Sequence, residues 1–347
     1  MKRRAPRLLG GLGEDVDHAR RAIDAVEQAF DIRWLEQAQG TTLMQRLWRR
    51  SDRLASVELY TLGCAILRLQ REGQHGWLKE TVRNIKKSAS PHGPVAEIVA
   101  YGQLSFGGRA LEPMPKNTPG YDFRVAIDQG KTLYLSVKNH DVTQSSKEFN
   151  RQSRLIRKAW REKLKLEKLQ RALRIYAIKP LDVEDFAAVK QYVQGSLDLH
   201  STEPVEVRPN VMVVAHPLHY EIGALSNFHV SDMVLVCAPA PEEEQLRFRK
   251  NIRIASEKFR KNITRSEDGL NVIYMRVHEN ADMDYLMAVA KDIMEDAEAC
   301  VDAIIFYQPT YARNEQGHSL LNNAYRIVFN MRYAKFEASS LIRAIQK

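Results

Sequence analysis

Residues 120–140 read GYDFRVAIDQGKTLYLSVKNH, and the pattern within them decides the fold. Alternation from Asp122 to Asp128, a tight turn at Gln129-Gly130 and a second alternating run from Thr132 to His140 predict a β-hairpin. Side chains alternate across a strand, so Leu133, Leu135 and Val137 share one face, and Tyr134, Ser136, Lys138 and His140 share the other. The hairpin therefore has a core face and a face that carries chemistry. Upstream, Pro94 suits the first turn of a helix that bears Glu97, buries Val95, Ile98, Val99 and Leu104, and ends at Gly107-Gly108. A short strand near Ala110 to Met114 is predicted between this helix and the hairpin.

A carboxylate on a helix, a carboxylate at the head of a strand and a lysine on the neighbouring strand are the parts that hold a divalent cation and a water against a phosphate. On this reading Glu97 and Asp122 are ligands of Mg²⁺ or Mn²⁺, and Lys138 orients or deprotonates the attacking water. Ser136, two residues earlier on the same strand face, supplies a hydroxyl, and His140 is an auxiliary candidate on that face. A phosphodiester repels nucleophiles and leaves as an oxyanion, and a metal held by carboxylates eases both difficulties. A Ser136–Lys138 hydrolytic dyad is disfavoured, because no turn exposes the serine and no oxyanion-hole glycine follows it.

Glu97, then Gly-Tyr-Asp122-Phe, then Ser136-Val-Lys138 resembles the PD-(D/E)XK nuclease superfamily, over roughly a third of the chain. The resemblance implies a core made of an acid-bearing helix, a hairpin with the Asp and the triplet, a further helix and another strand, matched here over residues 94 to 215. It implies a metal-dependent nuclease acting on DNA, with roles in restriction, defence against foreign DNA or mobile-element processing. Two positions depart from the pattern: Tyr121 stands where the family has Pro, and Ser136 replaces the acid of the triplet. Asp128 and Asp141 are nearby acids that could compensate, and Gln152, with Gln144 competing, matches a glutamine that some relatives carry on the next helix. The serine also keeps a second reading open, a catalytically inactive nuclease-fold module that binds nucleic acid or a protein partner.

The rest of the chain fits an α/β protein, a mixed β-sheet flanked by helices with an all-helical N-terminal region. Apolar residues at helical spacing, Val16, Ala19, Ile23, Val26 and Phe30, then Leu43 through Leu69, then Trp77 to Lys87, predict helices before a linker at 88–94. A basic, Gly-rich arm covers residues 1 to about 12. After the hairpin, a helix-like segment from Lys147 to Arg174 carries 11 basic residues against three Glu, and a second segment, Arg247 to Arg265, carries eight against one acid. Lys147, Arg151, Arg154, Arg157, Lys158, Arg161, Arg249, Lys250 and Arg253 are the candidate nucleic-acid contacts. Strands are predicted at 172–178, 211–215, 233–237, 272–277 and 303–307, with helices at 183–198 and 283–299 between them. The expected division is a helical region 1–90, a core 91–240 and an α/β elaboration 241–347.

The 347 residues carry a formal charge of +9, which favours a polyanionic partner. Cys64, Cys237 and Cys300 lack both disulfide-framework and metal-ligand spacing, which fits a reducing cytoplasm. No run approaches the roughly 18 apolar residues of a membrane-spanning helix. The N-terminal helices are the candidate surface for self-association or a protein partner.

Overall fold

In a computed structural model of the chain, the described residues are 16–330 except 38–41, 51–52, 89–91, 105–108, 110, 116–119, 128–131, 141–143, 218–233, 239–241, 263–268, 279–280, 282, 297–299, 314–318 and 322–323. The basic arm, Gly107-Gly108, Gln129-Gly130, Asp128 and Asp141 thus lie outside the described residues, as does the Gln144 side chain. The chain divides into two units, Met1–Asp141 with Phe248–Lys347, and Val142–Arg247. This differs from the expected boundaries at residues 90 and 240, because hydrophobic period reveals which face of an element is buried and not which partner buries it.

The first unit opens with helices α1 (Val16–Phe30), α2 (Ile32–Leu35), α3 (Leu43–Arg49), α4 (Arg53–Arg71), α5 (His75–Lys87) and α6 (His92–Gln103). Ala19, Ile23, Val26 and Phe30 of α1 are buried as their spacing requires, whereas Val16, in the first turn, is exposed. A reciprocal cap between Thr42 and Gln45 starts α3. Helix α6 begins at His92, two residues before Pro94. The proline still lies in the first turn, where its missing N–H removes no helical hydrogen bond. Strands β1 (Glu112–Pro113), β2 (Phe123–Ala126) and β3 (Thr132–His140) then pair antiparallel in sequence order.

The inserted unit holds α7 (Gln144–Glu167), β4 (Arg171–Ala177), α8 (Val183–Gln194), β5 (Val205–Arg208), β6 (Val211–Pro217) and β7 (Val234–Cys237). The segment read as helical to Arg174 therefore turns to strand at Arg171, where the alternation Ala172, Leu173, Ile175 takes over. Its strands form a separate sheet in the order β5-β6-β4-β7. Trp160 and Leu164 of α7, Phe186 and Val189 of α8, Ile175 of β4 and Val213 of β6 share its core. Each such side chain contributes about 1.5–3 kcal/mol through burial.

The chain returns to the first unit along α9 (Glu242–Asn262), from Phe248 onward. There follow β8 (Gly269–Val277), α10 (Met283–Met294), β9 (Ala303–Gln308), the short pair β10 (Tyr311–Arg313) and β11 (Ser319–Leu321), and β12 (Ala324–Phe329). Among the described residues the main sheet has six strands in the order β1-β2-β3-β8-β9-β12, with β3, β8 and β9 parallel and β12 antiparallel to β9. The residues expected as a separate C-terminal elaboration thus complete the hairpin's own sheet. Val272, Tyr274, Ala303 and Ile305 face the N-terminal helices together with Leu133, Leu135 and Val137. Ile273, Met275, Ile304 and Phe306 face α9 and α10, whose Phe248, Ile252, Ala255, Phe259, Leu286 and Ile293 cover them. Burial on both faces explains why β8 and β9 read as nearly unbroken apolar runs. No helix among the described residues is long and apolar enough to cross a membrane.

Candidate active site

Ser136 and Lys138 lie on the face of β3 that looks toward α9 and α10, opposite Leu135 and Val137. Asp122 stands one residue before β2, where its backbone N–H donates to the Leu135 carbonyl at 2.9 Å and its own carbonyl accepts from Met114 N–H at 3.0 Å. The main chain thus fixes the carboxylate beside the middle of β3. Asp122 Oδ2 accepts from the Val137 N–H at 2.6 Å and from the Ser136 hydroxyl at 3.4 Å. Among the described residues its Oδ1 accepts no hydrogen bond, so one oxygen is oriented by the strand while the other is available.

Lys138 Nζ donates to Ser136 Oγ at 2.8 Å and to the Val137 carbonyl at 3.4 Å. Burial pushes the Lys138 ammonium below lysine's usual range, Asp122 and Glu97 oppose the fall, and Lys258 adds to it. The same influences place Glu97, half-buried on α6, within electrostatic reach of Lys138. Asp122, Ser136 and Lys138 are therefore brought to one place by the loop before β2 and by β3, with Glu97 of α6 in electrostatic reach. The near approach of Lys138 to Ser136 does not make a nucleophilic dyad, because Ser136 is only 1% exposed and cannot present its oxygen to a substrate carbonyl.

Lys258 was not singled out within its basic segment. The burial of Phe248, Ile252, Ala255 and Phe259 at helical spacing fixes α9 on the sheet, and its C-terminal turn meets the loop before Asp122. Gly120 has φ +110°, and a Cβ there would stand 2.9 Å from Asn262 Cβ. Only glycine lets the chain pass beneath α9 and deliver Asp122. Tyr121 packs on Tyr134 with ring centroids 4.8 Å apart, covering the strand beside Ser136.

Other candidates go elsewhere. His140 is fully buried and edge-on to Phe248 at 5.3 Å, which makes it part of the packing under α9 and not an exposed auxiliary. Gln152 is in the inserted unit, buried, with its amide donating to Glu148 at 2.6 Å. Arg151, bonded to Glu148 at 2.6 and 2.8 Å, is the main cause that holds that carboxyl down to about 2. Lys147, Arg154, Arg157, Lys158 and Arg161 are exposed on α7. On α9, Arg249 bonds Asp292 at 2.7 Å, Lys250 is exposed and Arg253 is exposed.

The donor set suits a small hard cation. Mg²⁺ is commonly held by one or two carboxylates with water and substrate oxygens completing the shell, and Glu97 and Asp122 are the two carboxylates whose charge reaches Lys138. No trio of His, Cys, Asp or Glu side chains poised for a metal occurs among the described residues. No family model, no curated protein and no solved structure matches this chain.

Proposed function

We propose that the chain is a divalent-metal-dependent nuclease that hydrolyses phosphodiester bonds, with DNA as its substrate, built on a restriction-endonuclease-like core. The observation that carries the reading is the bonded group Asp122–Ser136–Lys138 on one face of a central strand, with Glu97 in electrostatic reach. The order of elements supports it as well: an acid-bearing α6, the β2–β3 hairpin, α9, and β8 parallel to β3, with residues 142–247 inserted before the second helix. A role in restriction, defence or mobile-element processing follows from the resemblance.

In this mechanism Asp122 and Glu97 would hold Mg²⁺ or Mn²⁺, which would supply polarisation of the phosphoryl oxygen and a more acidic water. Lys138 orients the attacking water, and its lowered pKa brings a neutral amine closer to working pH, so that Nζ can take a proton. Ser136 holds Nζ in place and is itself held by Asp122. Lys258, exposed on α9, adds positive charge within electrostatic reach of Lys138, which would favour a phosphate there.

The test is cleavage of supercoiled, linear and single-stranded DNA and of RNA in Mg²⁺, Mn²⁺ or EDTA, by the parent and by Asp122→Ala and Lys138→Ala. Metal-dependent cutting reduced by roughly a hundredfold or more in both variants is expected. One specific observation favours a second reading, a silent binding module: Lys138 bonds a serine where a third carboxylate would complete the usual triplet. DNA binding without a divalent ion and without cutting by the parent would make that the better account.

A further inference from the structure

We propose that α7 of the inserted unit is a docking surface for duplex nucleic acid, on which a straight row of Lys and Arg side chains seats the phosphate backbone. The row is Lys147, Arg151, Arg154, Lys158, Arg161 and Lys165, at alternating spacings of four and three, so the six side chains share one helix face. All six are exposed. At 1.5 Å per residue the row is about 27 Å long, a span comparable with a turn of duplex.

The opposite face of α7 is apolar and occupied. Ile156, Ala159, Trp160 and Leu164 belong to the core that the helix shares with α8, β4 and β6. That burial fixes which way the cations point. The acids of α7 engage part of the row: Glu148 bonds Arg151 and Glu162 stands 4.0 Å from Lys158, whereas Arg154 and Lys165 pair with no acid among the described residues.

Three chemistries could meet such a row. An amphipathic helix that lies in a membrane surface inserts its apolar face, but that face of α7 is in the core, with Phe149, Leu155 and Leu166 exposed singly. Proteins that grip single strands combine positive charge with aromatic platforms on which bases stack. The aromatics of α7 supply none beside the row, since Trp160 is fully buried and Phe149, though exposed, is edge-on to Phe186 at 5.5 Å on the side of the helix away from the row. What remains is recognition of regularly spaced phosphates without base contact, which gives sequence-independent, strongly salt-dependent affinity for duplex. As the substrate contact of a nuclease this rests on the reading above; as a binding surface it can be tested apart from it.

The experiment measures binding of the full chain to labelled duplex DNA in EDTA across a salt series. It compares the parent, the fourfold variant Arg154→Gln, Lys158→Gln, Arg161→Gln, Lys165→Gln, and a charge-matched variant with Gln at Arg20, Arg21, Arg71 and Arg83, all exposed on the N-terminal helices. Each phosphate contact adds about 0.9 to the slope of log affinity against log salt, so the fourfold variant should lose roughly 3 to 4 from the slope and more than about tenfold in affinity. The charge-matched variant should keep the parental slope. A parental slope in the α7 variant, equal losses in both variants, or tighter binding of single strands or anionic vesicles than of duplex would overturn the proposal. If Mg²⁺-dependent cleavage fails while the salt slopes behave as stated, the nuclease reading falls and the docking surface stands. Cleavage intact with unchanged slopes removes the docking surface alone.

Discussion

Strands β3 and β8 lie side by side in parallel register, yet they treat the same face of the sheet in opposite ways. Ser136 pairs with Ile273, Lys138 with Met275 and His140 with Val277. On the N-terminal helix side the two strands agree, with Leu135 beside Val272 and Val137 beside Tyr274 in one core. On the α9 side Ile273, Met275 and Val277 of β8 are apolar and fully buried, whereas β3 carries a hydroxyl and an amine at the positions beside Ile273 and Met275. Packing alone would favour an aliphatic pair at positions 136 and 138, because a buried amine is disfavoured in its charged form. The polar pair persists through a chain of bonds from Lys138 to Ser136 to Asp122 to the β3 backbone. A strand that departs from its neighbour's chemistry in only one stretch, and satisfies that stretch internally, is what the proposed site requires.

The comparison can be broken most severely from the β8 side. Ile273→Ser copies the β3 residue into a face with no Asp122 to bond it, and it should cost about 3–5 kcal/mol in urea unfolding, through lost volume and an unbonded hydroxyl. A loss under about 1 kcal/mol would mean that this face tolerates polarity generally and that Ser136 and Lys138 mark nothing.

The strands also meet in a polar contact on the other face, where Arg276 of β8 donates to Asn139 of β3 at 3.2 Å and pairs with Glu58 of α4. Removing the acid leaves a largely buried guanidinium without its main counter-charge. Glu58→Ala should therefore destabilise by about 3 kcal/mol while leaving the Asp122 group in place. Loss of cleavage without loss of stability would instead make Glu58 part of the chemistry.

A smaller effect is expected at Gly120, whose positive φ and closeness to Asn262 exclude a side chain. Gly120→Ala should cost about 1 kcal/mol or slightly more. It should slow cleavage by more than that loss of stability explains, because the backbone that carries Asp122 must move.

The smallest effect concerns pH. Burial lowers the pKa of Lys138 from its ordinary 10.5, so between the lowered value and 10.5 the unfolded chain binds more protons than the folded one. Stability at this position therefore rises with pH across that window, and the cost of the buried ammonium is full below it. Lys138→Met, which matches the β8 residue in register, should abolish that pH dependence in unfolding measurements and give a fold at least as stable as the parent at neutral pH.

Much of this arrangement was legible in the sequence. The alternation of Leu133, Leu135 and Val137 against Ser136 and Lys138 is local, and a strand's period of two assigns its faces without tertiary information. Glu97, Asp122, Ser136 and Lys138 could be grouped because the helix and hairpin that carry them are close in sequence. What was not legible depends on pairing between distant segments. Nothing in the run Leu270 to Val277 says that it lies beside β3, and Ala324 to Phe329 was not recognised as a strand because its burial comes from β9. The inserted unit was merged with the core for the same reason, since β4 and β6 look like any other buried strands until their pairing is seen. Lys258 was missed because only the packing of α9 brings its charge to Lys138. The row on α7 was visible as charge, but Lys165 joined it and Arg157 left it only once the buried side of the helix was fixed by Trp160 and Leu164.

The most direct test of the claim that β3 departs from β8 for the sake of chemistry is Mg²⁺-dependent DNA cleavage by Lys138→Met, measured on protein whose unfolding has been shown to be at least as favourable to the fold as the parent's. The account predicts no detectable cutting from this equally or more stable protein. Cutting at the parental rate, or a marked loss of stability in its place, would contradict it and make Lys138 a structural residue.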